Sequence, residues 1–211
     1  MSDRSRQRSA LALTVLALLV EAPMHPYRMH ELIKRRGKDT VVNVTQRNSV
    51  YQTIARLLRS GLIRVHKTLR DPGRPERVVY EITEDGRSTL TSWLREMLAA
   101  PAQEYPDFPA ALAFLPVLPA RDVLHQLEMR GGEIEAQLVQ SQAITRELLD
   151  GGLPRLFLIE EEYKQAMLMA ELAWLNKVIE DLKSKALNWN TQWLRKMAAE
   201  FEGSEAAAAD R

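Results

Sequence analysis

Asn48, Ser49 and Gln52 are short hydrogen-bonding side chains close together in "RNSVYQTIARLL". At about 100° per residue, a helix places them, with Arg56, opposite Val50, Ile54, Leu57 and Leu58. Paired donors and acceptors near the start of a helix match the edges of bases in a major groove, and Gln52 or Asn48 could pair with adenine. Arg47, Tyr51 and Arg56 lie where phosphate contact would fall, and Gln46 just ahead joins this candidate set. A second set stands in "RDPGRPER": Arg70, Arg74 and Arg77, stiffened by Pro72 and Pro75. Guanidinium groups on a proline-restricted turn lose little freedom on docking and suit a sugar–phosphate backbone or minor groove. Each set also has a plain reading. The helix face could be merely solvated, and Asp71 and Glu76 partly neutralise the turn.

Other chemistries lack their residues. There is no cysteine, and His25, His30, His66 and His125 are not spaced as metal ligands. The carboxylates Glu160 to Glu162 open a helix, where negative charge favours the backbone dipole. No serine and histidine arrangement forms a nucleophile site. The expectation is a protein that is not an enzyme and holds neither a cofactor nor a metal.

The charge balance points the same way. Residues 1–100 carry 18 Lys and Arg against 10 Asp and Glu, net +8, and residues 101–211 carry 11 against 18, net −7. The first half suits a polyanion and the second does not.

Positioning these side chains takes a particular order of elements. The apolar run 10–20 makes a first helix. Three arginines ahead of it resemble a secretory signal, but no small-x-small cleavage site follows and the next helices need a packing partner. A second helix spans 27–36 and stops at Gly37. A third begins after Thr45, a capping residue, and stops at Gly61. The period then becomes two: Ile63 and Val65, then Val78, Tyr80 and Ile82, alternate with polar or outward neighbours around the arginine turn, which reads as a β-hairpin. Thr83 caps a fourth helix with the stripe Leu90, Trp93, Leu94 and Met97. Helix, helix, helix, hairpin, helix is a winged helix-turn-helix.

Beyond a proline-rich joint at 100–109 lie an apolar stretch and two long helices, one from Pro119 to the "DGG" at 150–152 and one from Pro154 to about Leu187. In the last, Leu168, Leu172, Leu175, Ile179 and Leu182 follow 4, 3, 4, 3 spacing. Tyr163, Ala166, Ala170 and Trp174 form a second stripe, so more than one neighbour must cover this helix. The predicted organisation is mainly α: a winged helix over 9–99, the joint over 100–109, a helical domain over 110–195, and a disordered tail over 203–211.

The motifs "HPYRMHELIKRRG", "SVYQTIARLLRSGLIRV" and "GRPERVVYEITEDG" resemble the PadR family of bacterial transcriptional regulators over about residues 9–99. "EEEYKQAMLMAELAWL" looks like the dimerisation helix of the family's larger subclass. The resemblance implies a cytoplasmic, dimeric repressor of an inverted-repeat operator, released by a small aromatic or drug-like effector. It makes Tyr163 and the five residues of the leucine seam dimerisation candidates. Many members have glycine where this chain has Asn48, which leaves base preference open. Trp93 and Trp174 read either as core or as the lining of an effector pocket where the domains join. The alternative function is a winged-helix protein–protein interaction module.

Overall fold

Ser9 starts the first helix by accepting a hydrogen bond from the amide of Ala12, at 3.1 Å, which satisfies one of the helix's free N–H groups. In the computed structural model this helix, α1, runs Ala10–Glu21 and buries Ala12, Val15, Leu16, Leu18 and Leu19. The residues described are 8–42, 47–69, 77–102, 104–197 and 199–200, with the side chains of Arg47 and Asn48 excepted. The Thr45 cap and the 203–211 tail expected above lie outside them. The chain divides into two units, 1–104 and 105–211.

In the first unit α2 is Pro26–Arg35, α3 Arg47–Arg59, β1 Ile63–Leu69, β2 Arg77–Ile82 and α4 Glu84–Ala99. Proline suits the first position of α2 because its missing N–H would find no partner in the helix. Gly37 (φ 65°) follows α2 and Gly61 (φ 69°) follows α3, both in the left-handed region that glycine enters at no steric cost. Leu16 and Leu19 of α1, Met29 and Ile33 of α2, Val50, Ile54 and Leu57 of α3, and Leu90 and Trp93 of α4 share one core.

Three details differ from the periodic reading. On α3 the buried flank is Thr53, and Leu58 is exposed. The two residues stand about 70° to either side of the Val50–Ile54–Leu57 face, and the fold covers only one flank. On α4 the stripe is buried at Leu90 and Trp93, whereas Leu94 and Met97 are exposed. In the hairpin Val65 is exposed and Val79 buried. The strands pair Val65 with Tyr80 but Lys67 with Val79, leaving His66 as an extra residue in a β-bulge. Beyond a bulge the alternation on one strand slips by one, so a strict period of two fails across it. The other edge of β2 pairs with Met24 through reciprocal bonds to Tyr80 of 3.0 and 3.1 Å.

In the second unit α5 is Asp107–Ala113, α6 Ala120–Asp150 and α7 Ile159–Lys183. The pairs Glu128–Lys183, Arg130–Glu171 and Ser141–Glu161 run in opposite directions along the two long helices, so α6 and α7 form an antiparallel hairpin. Its seam is Val123, Leu127 and Ile134 against Leu175 and Leu182. Nearer the loop the seam turns polar: Ser141 donates to Glu161, and Gln165 donates to both Ser141 (2.7 Å) and Thr145 (2.9 Å). The helix α7 ends four residues before the expected Leu187, where the Ser184 hydroxyl bonds back to the carbonyl of Glu180 and Lys185 takes a left-handed φ of 64°. From α5, the Phe108 ring covers the Arg130 guanidinium at 3.6 Å and meets Trp174 edge-on.

The leucine seam expected to meet a second copy is therefore occupied within the chain. Leu175 and Leu182 are buried against α6, and Leu168, Leu172 and Ile179 are half-buried on the same cluster. Spacing alone specifies that a stripe must be covered, not which helix covers it. The second stripe lies on the far side of α7 and stays open: Tyr163, Ala166, Ala170 and Trp174 are all exposed, and so is Met167 on the same side.

Candidate nucleic-acid interface

The polar side of α3 follows from what the core removes. With Val50, Ile54 and Leu57 inside, Gln52 is exposed and Tyr51 half-exposed, both in the first half of the helix. Ser49 is half-buried on one flank. The backbone of Arg47 and Asn48 forms the first turn. Gln46 lies outside the described residues.

Arg56 departs from its expected place. Its Nη2 donates to the Ser9 hydroxyl at 3.1 Å, so the guanidinium joins α3 to the cap of α1 and does not stand out toward a phosphate. Position 56 lies between the buried and open faces, and a long side chain there can turn either way. Among the described side chains of α3, the cation that does stand out is Arg59, seven residues after Gln52 and hence on the same side. It is exposed and has no acidic partner among the described residues. The i, i+7 spacing was the signal that could have found it.

At the wing, β1 and β2 end in the pair Leu69 and Arg77, which frames the arginine turn. Arg70 and Arg74 belong to 70–76, outside the described residues. Arg77 is exposed at the base. Two other cations of the first unit are already paired. Arg64 donates to Glu81 at 2.6 Å, and Arg36 holds Glu21 through two bonds of 2.6 and 2.8 Å. The hydrogen bond from Arg64, aided by His66, holds the Glu81 carboxyl below its ordinary range. His25 caps a helix and feels the charge of the wing. Its Nδ1 accepts from the amide of Tyr27 at 3.1 Å, capping α2. Desolvation, reinforced by the charge of Arg77, keeps the imidazole below its ordinary pKa and so favours the neutral form this cap requires.

The two tryptophans separate. Trp93 is 5% exposed inside the first unit's core, which leaves its ring no open face within that unit. Trp174 is 42% exposed beside Phe108 in the second unit. Among the described residues no cluster of His, Asp and Glu could hold a metal ion, and no helix is long and apolar enough to cross a membrane.

Comparison with known proteins agrees with this architecture. Residues 15–92 match the model of the Transcriptional regulator PadR-like family, from the middle of α1 to α4. A search of curated protein sequences finds no match. Among solved structures, Bacillus subtilis PadR in complex with operator DNA aligns with a TM-score of 0.67 at 16% identity, over 82% of this chain and 99% of that one. The same protein in complex with p-coumaric acid aligns with a TM-score of 0.67 at 15% identity, over 83% and 99%. The Vibrio cholerae virulence activator AphA aligns with a TM-score of 0.65 at 19% identity, over 83% and 99%. At such identities these likenesses speak for the fold, and they extend past the winged helix into the helical unit. Over residues 15–92, the winged helix, this chain is thus similar to the PadR-like family of transcriptional regulators.

Proposed function

We propose that the chain is a dimeric regulator that binds an inverted-repeat operator in double-stranded DNA, represses by occupying it, and is released by a small aromatic effector. The observation that carries this reading is α3 in a PadR-like winged helix, presenting Gln52 and Arg59 to solvent with Arg77 at the wing base. The operator complex of the Bacillus relative supports the DNA partner. Such a protein works where the chromosome is, in the cytoplasm.

Two copies related by a two-fold axis present two copies of α3. Duplexes selected from a random pool by the full chain are expected to share an inverted repeat. Half-site centres should lie about 10–10.5 bp apart or at a multiple of that spacing. A single asymmetric half-site in footprints overturns the geometry, and failure to select any duplex favours a protein–protein interaction module. Transcription in vitro from a selected site is expected to fall with added protein. A rise would place the chain with activators, as the Vibrio relative is named.

Within that complex the side chains should act differently. Arg77→Ala should weaken binding to all sequences alike and reduce the salt slope by about 2, because one phosphate neutralisation is lost at each half-site. Arg74→Ala should behave the same way. Gln52→Ala should relax preference at particular base pairs, at about 1–3 kcal/mol each. A changed base preference for Arg77→Ala with an intact salt slope would contradict the wing's assignment.

For the effector, the half-exposed Trp174 offers a ring face and Trp93 does not. The p-coumaric acid complex of the Bacillus relative supports a flat aromatic acid as the first compound to try. Quenching of Trp174 should accompany operator release. A ligand that shifts a two-state equilibrium needs a difference of only about 1.4 kcal/mol between the states for a tenfold loss of occupancy. Quenching with unchanged DNA affinity would make this a binding site without a switch.

A further inference from the structure

The first turns of α2 and α3 enclose a small notch of about 70 Å³, lined by Pro26, Tyr27, His30, Val50 and Tyr51. Pro26 and Val50, both buried, supply apolar lining. Tyr27 (62% exposed) and Tyr51 (50% exposed) stand at its rim, and neither phenol oxygen has a hydrogen-bond partner among the described residues. This notch is far below the roughly 300–1,000 Å³ of a pocket for a drug-sized ligand, so it does not suit the effector. It has the scale and polarity of a single sugar: an apolar surface with hydrogen-bond donors beside it.

Its position on α3 says which sugar. Tyr51 lies about 100° around the helix from Gln52, between the exposed side and the buried one. When a helix lies in a major groove with one side toward the bases, its flanks face the two strands' backbones. The other flank of α3 holds Ser49 and Arg56, with Arg56 directed onto the start of α1. The Tyr51 flank runs past the start of α2. The free amides of α2 are already used there: Tyr27 donates to His25 Nδ1, and Arg28 and Met29 both donate to the carbonyl of His25. Any phosphate held at this corner is therefore held by side chains and not by the helix end.

We propose that the notch seats one deoxyribose of each operator half-site, and that Tyr27 and Tyr51 donate from their hydroxyls to the phosphates flanking that sugar. This deepens the regulator reading and rests on it. Tyr27 then positions α3 along the duplex without reading a base. A phenol is uncharged, so it adds a hydrogen bond to a phosphate without displacing a counterion. That gives it a signature distinct from the wing arginines.

The test uses the full chain and a duplex that it selects from a random pool. Tyr27→Phe and Tyr51→Phe remove one oxygen each from exposed positions. Each is carried by both copies and removes one hydrogen bond per half-site, so it should weaken binding about 30-fold, the worth of roughly 2 kcal/mol for two net hydrogen bonds. The loss should be equal on selected and unselected duplexes, and the salt slope should not change. Methylphosphonate placed at each phosphate in turn should find one position per half-site that weakens the wild type and leaves Tyr27→Phe unaffected. Wild-type affinity in Tyr27→Phe, or a loss confined to one base pair, overturns the notch while the regulator reading stands. A wild-type chain that selects no duplex overturns the reading itself.

Discussion

Gly86→Ala is expected to destabilise the winged helix by about 3 kcal/mol or more, although alanine is the better helix former by about 1 kcal/mol. Gly86 is buried in the first turn of α4. A methyl group there would overlap the carbonyl oxygen of Leu62 and lie 2.7 Å from Cγ1 of Ile82. Neither can yield cheaply. The Leu62 carbonyl accepts from the amide of Thr83, and Ile82 ends β2 in the core. Thr83 adds two more ties, accepting from the amide of Gly86 and donating to the carbonyl of Gly61. The end of α3, the end of β2 and the start of α4 thus share one point, and a wider residue must displace all three. Gly132 in α6 is the contrast, since a methyl there meets nothing within 4 Å. Gly132→Ala should stabilise the chain by about 0.5–1 kcal/mol. Urea unfolding of both variants decides the matter. A Gly86→Ala midpoint at or above wild type would mean that α4 can slide away from Leu62 at little cost.

Met167→Glu combined with Ala170→Glu is expected to give monomers and to lower operator affinity by a factor of about 10²–10⁴. That factor is what two linked half-site contacts gain over one. Both residues lie on the exposed side of α7, away from the seam with α6. Two carboxylates on each copy, brought together by a two-fold axis, would be buried without partners, so association should fail while each chain stays folded. Leu175→Glu serves as the control. Leu175 is fully buried against α6, so a charge there should disrupt the helical unit and lose helical circular dichroism as well as mass. Light scattering, circular dichroism and gel shift on the two variants separate lost association from lost folding. A dimer that survives Met167→Glu with Ala170→Glu would put the association surface elsewhere.

The pattern of elements was legible because local rules fix it. Thr83 caps α4, Gly37 and Gly61 end helices by taking positive φ, and the change of period from 3.6 to 2 marks the hairpin. What was not legible depends on contacts distant in sequence. The bulge at His66 shows only once β1 and β2 are paired, so Val79 reads as outward until then. Arg56 finds Ser9 across 47 residues, and nothing near Arg56 marks that partner. The seam around Leu175 reads as apolar whether a second copy or the chain's own α6 covers it. Gln52 and Tyr51 stood out because three buried neighbours on the same helix fix which way they face. The notch at Tyr27 did not, because its walls come from two helices.

The polar knot near the turn between α6 and α7 limits how the helical hairpin can move. Ser141, Glu161, Gln165 and Thr145 satisfy one another in one alignment of the two helices. Sliding α7 along α6 by a single turn, about 5.4 Å, would carry Gln165 and Glu161 out of reach of both hydroxyls and leave Ser141, which is buried, facing unmatched groups. A leucine seam without this knot would accept such a ratchet at modest cost, since one apolar layer resembles the next. Here the alignment is pinned at one end, so the two helices must travel together as a stiff arm. A displacement imposed at one end of that arm is expected to reach the other with little loss to slippage between the two helices.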